Sequence, residues 1–266
     1  MLCPLRLALI LLSAMPLPAP ANPAPAPLAV AGGSAADTTS APRGKETVVL
    51  LHGIGMGGWS MTRLASALRR EGYRVVNLSY PSRTVPLDRL AREWLPAQLA
   101  AHDAASAPRL HFVAHSMGGI MLRAWLAEFP RTDAAFPANL GRTVMIAPPN
   151  HGSEAAERLS AFPPYRWFFG ANGLALGTGP ASRPTALGPW PPEGGELGIL
   201  AGNRSLNPLA SAWVPAPNDG PVSVASTHLD GARDHRVLPA SHTGILWGND
   251  TARAVVAFLR TGCLTP

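Results

Sequence analysis

The stretch LHFVAHSMGGIMLRAW, residues 110–125, passes from a strand pattern to a helix pattern with one serine at the joint. LHFVAHS reads as a strand covered on both faces, and MGGIMLRAWLAEF continues directly as a helix. A turn that abrupt presses the residues two before and two after the serine against neighbouring backbone, so they must be small. Ala114 and Gly118 meet that requirement. The turn lifts the Ser116 hydroxyl clear of the sheet's carboxyl edge and sets it at a helix N-terminus, whose free amides favour developing negative charge. A bare small-x-Ser-x-small spacing is common in proteins. The flanking strand, the helix and the trailing Gly118-Gly119 make Ser116 a candidate nucleophile rather than a plain helix cap.

The rest of the chain fits around such an elbow. It has 266 residues, 47% of them hydrophobic, enough to bury the core of one large domain. Strand-like segments recur at TVVLLH, YRVVNLSY, RTVMIAPP, ELGILAG and DHRVLPAS. Between them lie helix patterns: MTRLASALRREG with Ser60 as its cap and Gly72 as its stop, residues 87–101, and NDTARAVVAFLRTG with Asn249 as cap and Gly262 as stop. This alternation predicts an α/β fold over residues 46–262, a mostly parallel sheet of about six strands with helices on both faces. Residues 151–197 break the rhythm as a cap or lid insertion rich in Pro, Gly and aromatics, with one short helix expected at SEAAERLS. Phe162, Tyr165, Trp167, Phe168 and Phe169 in it either line a pocket and cover the site or pack the insertion onto the core.

The N-terminus reads as an export signal over residues 1–21. Arg6 supplies a positive charge, LALILLSAM a short apolar run, and Ala19-Pro20-Ala21 a small-x-small cleavage site. An uncleaved membrane anchor is the alternative. Residues 22–45 form an Ala/Pro-rich leader of flexible composition. A periplasmic or secreted location follows. Cleavage would remove Cys3 and leave Cys263 without an intramolecular partner. The net charge of +6 is spread along the chain without the aromatic interleaving of a nucleic-acid surface, so no nucleic-acid partner is expected. A monomer is expected, with transient contact to a membrane or lipid surface as an option.

At AHSMGG the chain resembles the alpha/beta-hydrolase family, and more narrowly the bacterial lipases and esterases that carry this motif. LHGIG, AHSMGG, NDGPVSV and SHTGIL occur in the family's order, although Ala114 replaces the usual glycine of G-x-S-x-G. A serine hydroxyl needs a histidine to take its proton and an acid to hold that histidine in one tautomer. In this fold the chain order is serine, acid, histidine. Of the later histidines, His151, His228, His235 and His242, only His242 lies just past a strand and before the terminal helix. Asp219 in NDGPVSV is the candidate acid, with Asp230 and Asp234 as rivals.

The other glycine-rich turn lies in LHGIGMGGW, where Gly53, Gly55 and Gly58 spell the G-x-G-x-x-G of a dinucleotide loop. That reading needs an acid near the end of the second strand, and NLSYPS offers none. Arg83 is the one residue there that could meet a phosphate. The resemblance gives the loop another role, in which the Ile54 amide would join that of Met117 in an oxyanion hole. No cofactor or metal is expected: H-E-x-x-H and C-x-x-C are absent, and although the resemblance extends to lipases that bind structural calcium, SHTGIL lacks an aspartate after the histidine. The expectation is therefore a serine hydrolase acting on carboxylic esters, small-molecule or lipid. Acyl transfer or cleavage of thioesters or amides is the alternative on the same residues; a silent binding fold and a dinucleotide oxidoreductase are more distant ones.

Overall fold

The computed structural model describes residues 45–129, 136–206, 211 and 213–266. The expected signal peptide and all of the leader before Lys45 lie outside the described residues.

The strands are β1 (Thr47–Leu51), β2 (Arg74–Leu78), β3 (Leu110–His115), β4 (Leu140–Ile146), β5 (Leu197–Gly202) and β6 (Asp234–Leu238). They form one six-stranded sheet, every pairing parallel, in the order β2-β1-β3-β4-β5-β6. The helices include α1 (Thr62–Arg70), then α2, which begins at Leu87–Arg89, widens into a π turn at Leu90–Trp94 and ends as Leu95–Ala101. Next come α3 (Met117–Leu126), α4 (Glu154–Leu159), α5 (Pro163–Ala175), α6 (Arg183–Ala186), α7 (Val224–Thr227) and α8 (Asn249–Thr261).

Side chains alternate across a strand, and the apolar run of β1 serves both faces of the sheet. Val49 and Leu51 join one core with Leu90 and Leu95 of α2 and Ile120 and Leu122 of α3. Val48 and Leu50 join the other with Leu64 and Leu68 of α1 and Val255, Phe258 and Leu259 of α8. Burying each such side chain is worth about 1.5–3 kcal/mol. Gly198 in β5 gives Phe258 its place, because a Cβ there would come within 2.8 Å of the ring.

From β1 the chain steps outward to β2, then crosses back to lay β3 on the other flank of β1. This reversal opens a crevice beyond the carboxyl ends of β1 and β3, where open α/β sheets place their ligands. The glycine-rich loop follows β1, and Ser116 follows β3.

Three local expectations change. Ser60 does not cap α1: it lies in a 3-10 turn, Gly58–Met61, and its hydroxyl donates to the Gly57 carbonyl at 2.8 Å. Gly248 rather than Asn249 is the cap residue of α8, and the Asn249 amide oxygen accepts from Arg63 instead. The insertion is far more helical than its composition suggests, since FPPYRWFFG contributes most of α5. Its two prolines stand in the first turn, where a missing N–H costs nothing.

Candidate active site

Ser116 has φ 52° and ψ −123°, a conformation that residues with side chains rarely take. Its surroundings hold it there. The Ser116 amide donates to Ile146 O at 2.9 Å, extending the β3–β4 ladder into the turn. Behind it, a Cβ on Gly118 would lie 2.8 Å from the carbonyl oxygens of both Leu51 and His52. Gly118 thus lets α3 start against the end of β1.

His242 lies in the segment between β6 and the 3-10 turn Gly244–Trp247. Its Nε2 is 2.9 Å from Ser116 Oγ, and its Nδ1 is 2.7 Å from Asp219 Oδ2. Asp219 follows β5 and is 2% exposed; its Oδ1 accepts from the Val222 amide at 3.1 Å. The His242 amide also donates to Asp219 O at 3.0 Å, so main chain and side chain join the same two residues. With Nδ1–H given to the carboxylate, Nε2 keeps a lone pair for the serine proton.

Among the described residues, no acceptor takes the amide of Met117 or that of Ile54. Met117 opens α3, where first-turn amides lack intrahelical partners. Gly53 lies against Ser116: a Cβ on it would be 3.2 Å from Ser116 Cβ and 2.7 Å from His115 Nδ1. Gly55 takes φ 71°, open to glycine at no steric cost. His52 accepts the Tyr80 amide on Nε2 at 3.0 Å, so its Nδ1–H is the donor to Gly53 O at 2.7 Å. Burial holds its pKa below the usual histidine value, and it stays a neutral brace of the loop.

The rivals are engaged elsewhere. His235 stacks on His228 with ring centroids 3.9 Å apart and meets the Thr227 hydroxyl at 2.8 Å. Asp234 begins β6 and accepts the Leu264 amide at 2.6 Å, while Asp230 is exposed. The Arg83 guanidinium lies 4.6 Å from the centre of the Phe168 ring. Of the insertion aromatics, Phe168 is buried and Trp167 is 75% exposed. Phe168 and Phe169 reach the glycine loop, within 3.5 and 3.9 Å of a Cβ built on Gly55.

Several residues beside the site gave no signal in the sequence. His115 is buried and donates from Nε2 to His242 O at 2.8 Å; burial, then His242, lower its pKa to about 3. Glu154 of α4 accepts from the Ser223 hydroxyl at 2.5 Å and the Ser223 amide at 3.3 Å, beside the Val222 amide that meets Asp219. Neighbouring Ser153 donates to Pro221 O at 2.7 Å. These contacts link segments far apart in the chain, and no short motif encodes them.

A parallel sheet in this order, with a serine raised at its switch point, defines a protein of the alpha/beta-hydrolase class. The chain belongs to the alpha/beta hydrolase family, whose model matches residues 48–264. A probable esterase PIR7A from Oryza sativa subsp. indica is 34% identical over 98 residues, 35% of this chain and 37% of the rice protein. The match thus spans little more than a third of that relative. Bacillus licheniformis lipase BlEst2 in its mature form superimposes with a TM-score of 0.67 at 19% identity, over 82% of this chain and 93% of that one. Phospholipase PlaB from Legionella pneumophila gives 0.60 at 21%, over 84% of this chain and 60% of that one. The likeness to these two structures is one of fold.

Proposed function

We propose that this protein is a serine hydrolase that cleaves carboxylic esters through an acyl-enzyme intermediate. Ser116 is the nucleophile, His242 the general base and then acid, and Asp219 the residue that orients the imidazole. The observation that carries the reading is the unbroken row Ser116 Oγ–His242 Nε2, 2.9 Å, and His242 Nδ1–Asp219 Oδ2, 2.7 Å. The probable-esterase and lipase names of the relatives support the ester as substrate class.

In the first half-reaction Ser116 Oγ bonds to the ester carbonyl carbon and its proton passes to His242 Nε2. The imidazolium keeps its Nδ1–H on the Asp219 carboxylate, which stabilises the new charge without taking the proton. Negative charge gathers on the former carbonyl oxygen, and the amides of Met117 and Ile54 are the donors for it, each worth roughly 3–4 kcal/mol. The bond to the alcohol oxygen breaks as His242 returns the proton to it. Water then repeats the sequence on the acyl-enzyme, releasing the acid and restoring Ser116. An alcohol in place of water would make the reaction an acyl transfer.

The test is labelling with a fluorophosphonate, located by peptide mapping, alongside hydrolysis of a short-chain p-nitrophenyl ester. Label on Ser116 and ester cleavage that both vanish in Ser116→Ala are expected. A wild-type chain that neither labels nor cleaves would overturn the assignment.

A further inference from the structure

The loop that carries the Ile54 amide is gripped on both sides of that residue by the segment following β2. On one side, the Tyr80 hydroxyl donates to His52 O at 2.5 Å, and the Tyr80 ring stacks on the His52 ring with centroids 4.1 Å apart. On the other, the Gly55 amide donates to Ser82 Oγ at 3.0 Å, and Ser82 is buried. The position of this peptide therefore depends on what fixes residues 80–87.

What fixes them comes from the insertion. Asn172 of α5, 2% exposed, donates to Ser82 O at 2.9 Å and Val85 O at 2.8 Å, and accepts the Leu87 amide at 2.7 Å. Both ends of its carboxamide are thus spent on one turn. The helix is shaped for the approach. Gly170 leaves helical geometry at φ 60°, and a Cβ there would lie 2.6 Å from Arg83 O, so only glycine lets α5 come this close. Arg83 then covers Phe168 from the same segment.

We infer that Asn172 and Ser82 are positioning residues for the Ile54 amide, so that the insertion braces the oxyanion loop from outside the triad. The inference rests on the serine-hydrolase reading above. Removing an oxyanion donor outright costs about 10²–10³-fold in kcat. Freeing the loop that aims one costs less, because the amide remains but its distance from the developing oxyanion is no longer held. The deficit belongs to the tetrahedral state rather than to ground-state binding. It therefore falls on kcat and on the affinity of a tetrahedral mimic, not on KM.

The experiment compares Ser82→Ala, Ser82→Thr and Asn172→Ala with wild type on a soluble p-nitrophenyl ester, per active site titrated with a fluorophosphonate. It also measures inhibition by a trifluoromethyl ketone, which presents an oxyanion when Ser116 adds to it. We expect kcat to fall about tenfold in Ser82→Ala and Asn172→Ala, KM to stay within twofold, and the ketone to bind about tenfold more weakly. Ser82→Thr, which keeps the hydroxyl, should restore both. If Asn172→Ala does not fold, the two Ser82 variants decide alone. Unchanged kcat and ketone affinity in Ser82→Ala overturn the proposal while leaving the hydrolase reading intact. A wild-type chain inert to the fluorophosphonate overturns both.

Discussion

His115 Nε2 donates to the main-chain carbonyl of His242 across 2.8 Å, tying the residue before the elbow serine to the residue that meets that serine from the segment after β6. The ring is buried, and its Nδ1 has no partner among the described residues. One histidine thus fixes the backbone of the other without sharing its proton.

Loss of that tie should slow the reaction and alter stability against pH. In the folded chain burial pushes the His115 pKa down to about 3, against an ordinary 6.5. The unfolded chain then binds the extra proton first, so stability is full above pH 6.5 and declines as pH falls toward 3. The slope from this group is at most about 1.4 kcal/mol per pH unit. His235, lowered to about 4 by burial and by His228, acts in the same direction. Urea unfolding of His115→Gln at pH 7 and pH 5 should show a smaller loss than wild type, with kcat reduced about tenfold. An identical loss would remove His115 from this account.

Substitutions in the row itself should separate by role. Ser116→Ala and His242→Ala are expected to cost around a millionfold in kcat, and Asp219→Asn about 10⁴-fold, since the last spares nucleophile and base. Single-turnover rates on the p-nitrophenyl ester give the comparison. Near-normal turnover in Asp219→Asn would shift the acid to another residue.

Arg123 of α3 is buried and donates to carbonyl oxygens of Asn150, Pro184, Leu187 and Gly188, the last three in the insertion. Burial, then Arg183, lower its pKa to about 10, which leaves it charged at neutral pH. Arg123→Leu strands several buried acceptors at about 1–3 kcal/mol each. We expect a loss of at least ~3 kcal/mol in urea unfolding; a change under 1 kcal/mol would show that water or rearrangement replaces the guanidinium.

The insertion is joined to the rest of the chain by Arg123, by Asn172, and by Ser153 and Glu154 at the Asp219 loop. A swinging lid would break these buried contacts together. Activity on a short-chain triglyceride should therefore rise smoothly through its solubility limit. A sharp jump at the interface would mean that the insertion opens.

Much of this arrangement was legible in the chain. The strands were readable because segments such as TVVLL bury both faces and carry an apolar run, and the elbow because small residues flank Ser116. Helix α5 was not, since its paired prolines and Gly170 are the marks of a loop, and its buried face meets another loop. Of the three glycines that spell G-x-G-x-x-G, only Gly53 lies against His115 and Ser116; Gly55 lies near Phe168, Phe169 and Arg83, and Gly58 has only ordinary contact with Asn77.

By itself, the order of apolar runs, turns and polar residues determined the parallel sheet and named Ser116, Asp219 and His242, because those patterns are local and the family places them in one order. Only the tertiary structure decided what holds them and the glycine loop beside them. His115, Ser82, Glu154 and Asn172 act through hydrogen bonds between distant segments. A polar side chain acquires such a partner only after the intervening chain has folded and excluded water, which no single stretch of sequence records.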